Sequence, residues 1–276
     1  MERNQDKLSC RRSHDTVFRG RPLIEIPTTM KEKFFDCADG HQYYTREEFG
    51  DGSCFFHSLA TLLNLNHDSS GTDPTHQQKQ ILSNIRHKMQ CRLDSDKSNI
   101  FKCFDFMDTN YIKKLTEKQR QQLGLKLRKV IQHAVDDRWD NYWRNETKHD
   151  PSLLARVHDR KKVTKMLHNP STWADVYMIK FAMHVLDLNV LFFNQSTSSI
   201  YCGVQGDKMM TQPTVFVMWV NNSHFQPILR LSCDGSKHPK VKGIFRYGND
   251  RIVKHIFNVW KNQDKCHTVG LGAVLM

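Results

Sequence analysis

The spacing of apolar residues changes near residue 189 and divides the chain into a helical part and a strand-rich part. Before that point, apolar residues recur every three or four positions, as on one face of a helix. This spacing predicts helices over residues 54–65, 80–93 and 118–143. A fourth helix is expected to begin at the start signal Asn169-Pro170-Ser171-Thr172, with Asp175 in its first turn, where the helix dipole favours a carboxylate.

The later part of the chain contains short apolar runs with the composition of strands. They cover residues 189–193, 199–204, 214–220 and 224–231. The run 214–220 is apolar almost throughout, which predicts a strand buried on both faces. Only Asn221-Asn222-Ser223 separates it from the next run, so the two are expected to form a hairpin. A further strand and helix are predicted within residues 241–260.

Composition narrows the class of protein. The chain has 41 Lys and Arg against 29 Asp and Glu, a net charge of +12, which leaves nucleic acid, an anionic membrane surface or an acidic partner open. Because the basic residues are spread along most of the chain, we favour a solvated cationic surface. No apolar stretch has the length of a membrane span, and the first 21 residues lack an apolar segment of signal-peptide type.

The eight cysteines include no Cys-x-x-Cys pair, which argues against a structural zinc site. We expect free thiols, a reducing compartment, and neither metal nor cofactor.

The run Asp51-Gly52-Ser53-Cys54 is the strongest candidate for chemistry. Asp-Gly is a turn signal, and the helical stripe begins directly after it, so Cys54 is expected at the N-terminus of a helix. Helix dipoles favour an anion there, which makes Cys54 a candidate nucleophile with an accessible thiolate. A thiol nucleophile needs a base, and His224 stands at the start of a strand, directly after a turn and a buried strand.

Three blocks of the sequence resemble the ovarian-tumour (OTU) family of cysteine proteases, in the family's order. They are Asp51-Gly52-Ser53-Cys54-Phe55-Phe56, then Trp173-Ala174-Asp175 with the strand Val190-Leu191-Phe192-Phe193, then Asn222-Ser223-His224-Phe225. The resemblance covers residues 48–231. It implies an α+β, papain-like fold in which a small mixed sheet is flanked by helices. Residues 66–169 show no likeness and are interpreted as a helical insertion.

The resemblance also implies domain limits. Residues 1–30 are predicted to be a flexible basic segment, because they are polar and contain Pro22 and Pro27. Residues 31–235 would form the protease domain, with residues 43–45 as a short strand or loop before the Cys54 turn. Residues 236–276 would be an extension packed on that domain. We expect Trp173 to pack in the core.

The resemblance assigns roles to three residues. Cys54 would be the nucleophile and His224 the general base and then acid, while Asp51 and the amides of the 51–54 turn would form the oxyanion hole. The family commonly has Asp or Asn two residues after the histidine, and here that residue is Gln226, which carries no charge. Asn222 and Asp51 are the other candidates for orienting His224. His57, where the family often has Arg, is expected to pack or hydrogen-bond locally.

The expected function is a thiol-dependent deubiquitinase that hydrolyses isopeptide bonds of ubiquitin or a ubiquitin-like modifier. Its expected partners are ubiquitin and polyubiquitin conjugates. We expect a monomer in the cytoplasm, which would be the host cytoplasm if the chain is viral or bacterial. Two alternatives stay open. One is a protease of the same fold that cuts a polyprotein or another modifier. The other, motivated by Gln226 and the charge of +12, is an inactive module that binds a partner such as nucleic acid.

Overall fold

A mixed β-sheet forms the centre of the computed structural model, which describes residues 17–18, 21–35, 41–63, 117–149, 160–202, 211–232 and 240–262. The strands in these ranges are β1 (Val17–Phe18), β2 (Arg21–Glu25), β3 (Gln42–Arg46), β4 (Asn189–Asn194), β5 (Ser199–Cys202), β6 (Thr214–Val220), β7 (His224–Ser232), β8 (Lys240–Lys242) and β9 (Ile244–Phe245). The helices are α1 (Thr28–Met30, continued by a π-helical turn over Lys31–Phe35), α2 (Cys54–Leu63), α3 (Glu117–His149), α4 (Arg160–His168), α5 (Val176–Leu186) and α6 (Arg251–Asn262).

The sheet has the order β1-β2-β3-β7-β6-β4-β5, with β8 paired to β7 and β9 paired to β6. β4 and β6 are parallel, and the other pairs are antiparallel. This arrangement confirms the predicted α+β class and mixed sheet. The sheet is larger than predicted, because β1 and β2 join one end and β8 and β9 pair with its central strands.

The apolar strands are buried because helices cover both faces of the sheet. Side chains alternate between the faces along a strand. In β6, Val215 and Val217 pack in the cluster that contains α2, α3 and α5, whereas Phe216 and Met218 pack in the cluster that contains α1 and α6. A strand with an apolar layer on each side carries apolar residues at every position. The prediction that residues 214–220 are buried on both faces is confirmed.

The β6–β7 hairpin is also confirmed, and its turn is built by asparagine. Asn221 and Asn222 have φ angles of 50° and 54°, in the left-handed region that asparagine tolerates better than most residues. The register pairs Val220 with His224. The turn therefore places His224 at the first position of β7.

Helix α3 belongs to the main core. Its buried side chains, among them Leu127, Ile131 and Trp139, share one cluster with α2 and α5. The helix predicted over residues 80–93 lies outside the described residues, and the interpretation of residues 66–169 as an insertion stays a prediction. None of the described helices is both long and apolar enough to cross a bilayer.

Two expectations about local structure were wrong. Residues 21–25 form a sheet strand, although residues 1–30 were expected to be loosely structured; β2 pairs with β3 and buries Leu23. The helix expected to begin near residue 172 begins at Val176. The Asp175 carboxylate accepts a hydrogen bond from the Met178 amide at 2.8 Å and so acts as the N-cap, one residue before the first turn.

Candidate functional site

Cys54 is the first residue of α2, directly after the turn that the Asp-Gly signal predicted. The Cys54 amide donates to the Asp51 carbonyl at 3.2 Å, and the Ser53 amide donates to Asp51 Oδ1 at 2.9 Å. These bonds define the turn. Because both amides donate within it, the role of the turn as an oxyanion hole stays a prediction.

The first turns of α2 dock on the start of β7. The Ser58 hydroxyl donates to the Phe225 carbonyl at 3.0 Å, and the backbone of Phe225 acts to lower the pKa of the Cys54 thiol. Phe225 directly follows His224. The fold therefore brings Cys54 to the backbone beside His224, although the two residues are 170 positions apart in the sequence.

His224 is partly exposed and lies in a mixed electrostatic environment. Burial lowers the pKa of its imidazole, and the positive charge of Arg21 acts in the same direction. The negative charges of Glu47 and Asp51 act against this shift without cancelling it. The imidazole is therefore mainly neutral near pH 7, which is the state that can accept a proton.

The structure describes both Cys54 and His224 and shows no hydrogen bond between the thiol and the imidazole. None of the three candidate orienting residues, Gln226, Asn222 and Asp51, makes a hydrogen bond to His224 in the described part of the chain, although the charge of Asp51 acts on its imidazole. Gln226 lies opposite Met218 in the β6–β7 pair. The Asn222 side chain instead accepts a hydrogen bond from Asn194 Nδ2 at 3.1 Å.

The Cys54 side chain is buried, with 1% of its surface exposed. Burial raises the pKa of the Cys54 thiol to about 11, and the negative charge of Asp51 adds to this shift. Hydrogen bonds with backbone groups act in the opposite direction but are weaker. The expectation of an accessible thiolate was therefore wrong for this state of the molecule, because desolvation outweighs the stabilisation available at the helix N-terminus.

Asp51 is held by side chains from two helices. His57 Nε2 lies 3.0 Å from Asp51 Oδ1, and Gln121 donates to Oδ2 at 3.3 Å. Burial alone would raise the pKa of Asp51, but His57 and the hydrogen-bond donors outweigh it and lower the pKa. The local hydrogen bond expected of His57 is confirmed.

Arg128 is a site residue that the sequence reasoning missed. It lies on α3 with its side chain buried, and its guanidinium contacts the two residues that precede Cys54. Nη1 donates to the Gly52 carbonyl at 3.0 Å and to the Ser53 hydroxyl at 2.9 Å. In the sequence, Arg128 is marked only by its position next to Leu127, beside the apolar stripe of α3. Many exposed arginines share that pattern, so it does not identify a site residue.

The loop between α4 and α5 lies directly against the Cys54 turn. The approach is so close that a Cβ atom on Gly52 would stand 2.3 Å from the Ser171 carbonyl carbon. The same loop carries Trp173, which is 45% exposed. The expectation that Trp173 packs in the core was wrong, because the loop holds its side chain outside the layer between α3 and α5.

Within the described ranges, no cluster of three or more His, Cys, Asp or Glu residues has the arrangement of a metal site. The side chains that the turn, α2, α3 and β7 contribute to this site are a carboxylate, a thiol, two imidazoles and a guanidinium.

Comparisons with known proteins agree with the sequence motifs. No protein-family model matches the chain, and no curated protein matches it. Among solved structures, the chain is similar to an OTU domain in complex with ubiquitin, with 10% identity over 90% of this chain and 95% of that one and a TM-score of 0.39.

Two further similar structures are OTU domains. The viral OTU domain protease from Taggert virus has 12% identity over 72% of this chain and 91% of that one, with a TM-score of 0.34. A complex of ceOTUB1 with ubiquitin aldehyde and UBC13~Ub has 12% identity over 68% of this chain and 79% of that one, with a TM-score of 0.42. These TM-scores are below 0.5, so the case for the site rests on its own geometry. The three solved structures are OTU domains.

Proposed function

We propose that the chain is a cysteine hydrolase that cleaves the isopeptide bond after the C-terminus of ubiquitin or a ubiquitin-like modifier. The observation that carries this proposal is the 3.0 Å hydrogen bond from Ser58, on the helix that begins at Cys54, to the carbonyl of Phe225, the residue after His224. This contact brings together the first and the last of the three OTU-like sequence blocks. The unpaired thiol of Cys54 suits a reducing cytoplasm.

In the proposed reaction, neutral His224 takes the proton of the Cys54 thiol, and the sulfur attacks the carbonyl carbon of the isopeptide bond. The tetrahedral intermediate collapses when His224 returns the proton to the leaving lysine amine. The product is an acyl-enzyme on Cys54. A water molecule, deprotonated by His224, then attacks the thioester and releases the modifier with a free carboxyl group.

Substrate binding has a specific task in this mechanism. The Cys54 thiol is buried and has a raised pKa, and it makes no hydrogen bond to His224 in the described structure. Catalytic hydrogen bonds are often long before the substrate binds and tighten in the complex. We therefore expect the bound modifier to expose the thiol and close the distance between the sulfur and the imidazole.

The test is reaction with a ubiquitin probe that carries a C-terminal electrophile, with a ubiquitin-like probe in parallel. Wild type should be labelled, while Cys54→Ala and His224→Ala should not. His168→Ala is the matched control, because His168 lies on α4 and contacts Gln132 rather than the site. Absence of labelling by both probes would overturn the proposal. Labelling without cleavage of purified diubiquitin would instead favour a protease that cuts a polyprotein or another modifier.

The buried thiol favours a second candidate function, an inactive module that binds a partner through this fold. A cysteine with 1% exposure and a raised pKa is the ordinary state of a structural cysteine. Under this alternative, neither probe labels Cys54. Nucleic-acid binding that weakens steeply with salt would then identify a polyanion partner for the net charge of +12.

A further inference from the structure

The Arg128 guanidinium connects two segments that are far apart in the sequence. Its partners on the last turn of α4 and the loop after it are the carbonyls of Met166, Leu167, Asn169, Pro170 and Thr172, at 2.6–3.3 Å. Its partners on the turn before Cys54 are the Gly52 carbonyl and the Ser53 hydroxyl. Removing this side chain would leave the Leu167 and Gly52 carbonyls and the Ser53 hydroxyl without this donor in a buried region, so the relative position of the two segments depends on it.

None of these seven acceptors carries a charge, which is unusual for a buried arginine. A buried cation without a carboxylate in contact is costly, and burial lowers the pKa of Arg128 to about 10. The negative groups that act on it are Asp51 and, when ionised, Cys54. The guanidinium bonds to the two residues that precede Cys54, so its positive charge lies beside the start of α2.

Arg46 provides a contrast within the same core. It is equally buried, but its guanidinium bonds to the Glu48 carboxylate at 2.7 Å and to Thr61 on the last turns of α2. Its charge is neutralised locally, away from Cys54. The ion pair with Glu48 therefore accounts for the buried charge of Arg46, whereas the hydrogen-bond acceptors of Arg128 in the described residues include no carboxylate.

We propose that Arg128 is a positioning residue for Cys54: it holds the 51–54 turn against residues 166–172 and places a buried positive charge at the two residues that precede Cys54. This role rests on the proposed use of Cys54 as a nucleophile. The other ionisable groups around the thiol, by element, are Asp51 on the turn, His57 on α2 and His224 on β7. Arg128 is the cation that α3 contributes to this set.

The experiment measures alkylation of Cys54 by iodoacetamide as a function of pH, with the Cys54 peptide quantified by mass spectrometry. The inflection of the profile reports the thiol titration, and the plateau at high pH reports access to the sulfur. Arg128→Gln should move the inflection upward by about one pH unit or more, the size expected when a nearby opposite charge is lost. Arg128→Lys keeps the charge and should move the inflection by less than half of that shift.

The clamp itself is tested by hydrogen exchange. A lysine cannot reach all seven acceptors, so Arg128→Lys should increase exchange in residues 51–54 and 166–172 together, while β6 keeps its protection. The matched control is the double variant Arg46→Gln/Glu48→Gln, which removes a buried charge pair from the same core without leaving one charge alone. It should leave the Cys54 inflection in place, and its exchange should rise in residues 46–48 and near Thr61 rather than in residues 51–54.

Two results would overturn the proposal. One is an unchanged alkylation inflection in folded Arg128→Gln. The other is unchanged or uniformly raised hydrogen exchange in Arg128→Lys. The exchange result alone decides the matter if Arg128→Gln does not fold. The alkylation assay needs no ubiquitin, so the two claims separate. If the ubiquitin probe does not label wild type but Arg128→Gln shifts the Cys54 inflection as predicted, the proposed function is refuted and the positioning role of Arg128 is retained.

Discussion

The Nε2 atom of His57 lies 3.0 Å from Oδ1 of Asp51, so the helix that carries Cys54 is bonded to the turn that precedes it. An ionised carboxylate only accepts hydrogen bonds, so we assign the proton of the imidazole to Nε2. The other nitrogen, Nδ1, is buried and has no hydrogen-bond partner among the described residues. Protonation of Nδ1 would bury an unsatisfied N–H group, which explains why His57 is held neutral.

The first prediction concerns stability against pH. Burial lowers the pKa of His57 below its ordinary value, and Asp51 opposes this shift only in part. As pH falls through the ordinary histidine pKa of about 6.5, the unfolded chain takes up this proton before the folded one does. The free energy of unfolding should therefore fall as pH decreases from neutral, and the contribution is lost once pH is below the folded pKa.

His57→Gln can still donate to Asp51 but cannot titrate, so its unfolding free energy should depend less steeply on pH between 5 and 7. One proton bounds the slope difference at about 1.4 kcal/mol per pH unit. Urea titrations at several pH values measure it. His224 also has a lowered pKa, so some dependence should persist. Equal slopes in wild type and variant would contradict the prediction.

The second prediction concerns Gly124 on α3. A Cβ atom at this position would stand 2.0 Å from His57 Nδ1. Alanine normally stabilises a helix interior relative to glycine by up to about 1 kcal/mol. Here the clash should reverse the sign, and Gly124→Ala should destabilise the protein by about 1–3 kcal/mol, the usual cost of overpacking.

Denaturant unfolding measures this change. Gly248→Ala is its control, because a Cβ atom there meets no described atom within 4 Å. We expect the control to change the unfolding free energy by no more than about 0.5 kcal/mol. A stabilised Gly124→Ala variant would show that His57 is free to move away from α3.

The third prediction compares two glycines beside the Cys54 turn. Gly52→Ala would force the turn away from the Ser171 backbone, whereas a Cβ atom at Gly50 meets nothing among the described residues within 4 Å. Displacement of a catalytic group by 1 Å can cost on the order of 100-fold in rate. Labelling by the ubiquitin probe should fall by that order in Gly52→Ala and stay at the wild-type rate in Gly50→Ala. Similar rates in the two variants would refute the requirement for close approach.

The fourth prediction concerns the bond that docks α2 on β7. Ser58→Ala leaves the Phe225 carbonyl without its buried donor and should cost about 1 kcal/mol of stability. Because Phe225 adjoins His224, probe labelling should slow as well. Thr164→Ala is the control, since Thr164 bonds only to the Arg160 carbonyl within α4. If both variants label equally fast, the α2–β7 bond is purely structural.

The fifth prediction concerns Trp173, an exposed aromatic side chain on the loop that Arg128 holds. Tryptophan is enriched among the residues that dominate binding energy at interfaces. Trp173→Ala should raise the KM for diubiquitin with little change in stability. Ile24→Ala, at the same 45% exposure on β2, should leave KM unchanged. An equal KM in the two variants would assign Trp173 no part in substrate binding.

Much of the fold follows from local chemistry. The apolar run of β6 predicts a strand covered on both sides, and Asn221-Asn222 predicts the turn that starts β7, because asparagine accepts a positive φ. The Asp-Gly signal and the stripe after it likewise predict Cys54 at the start of α2. In each case, the residues that carry the signal are the ones that form the structure.

Other features depend on residues that are distant in the sequence. Only the packed structure shows that β2 joins the sheet, because the strand is defined by its pairing with β3, a separate segment of the chain. No local pattern distinguishes Arg128 from an exposed arginine on the same helix, since its acceptors lie on two other segments.

The sequence by itself determined the candidate nucleophile, the candidate base and the strands and helices that carry them, because turn chemistry and apolar spacing act over a few residues. The tertiary structure decided their chemical state. It buried Cys54, and this burial raises the pKa of the thiol although the helix dipole favours the thiolate. It also bonded Asp51 to His57 and the Cys54 turn to Arg128. Desolvation and long-range hydrogen bonds arise only when distant segments pack together.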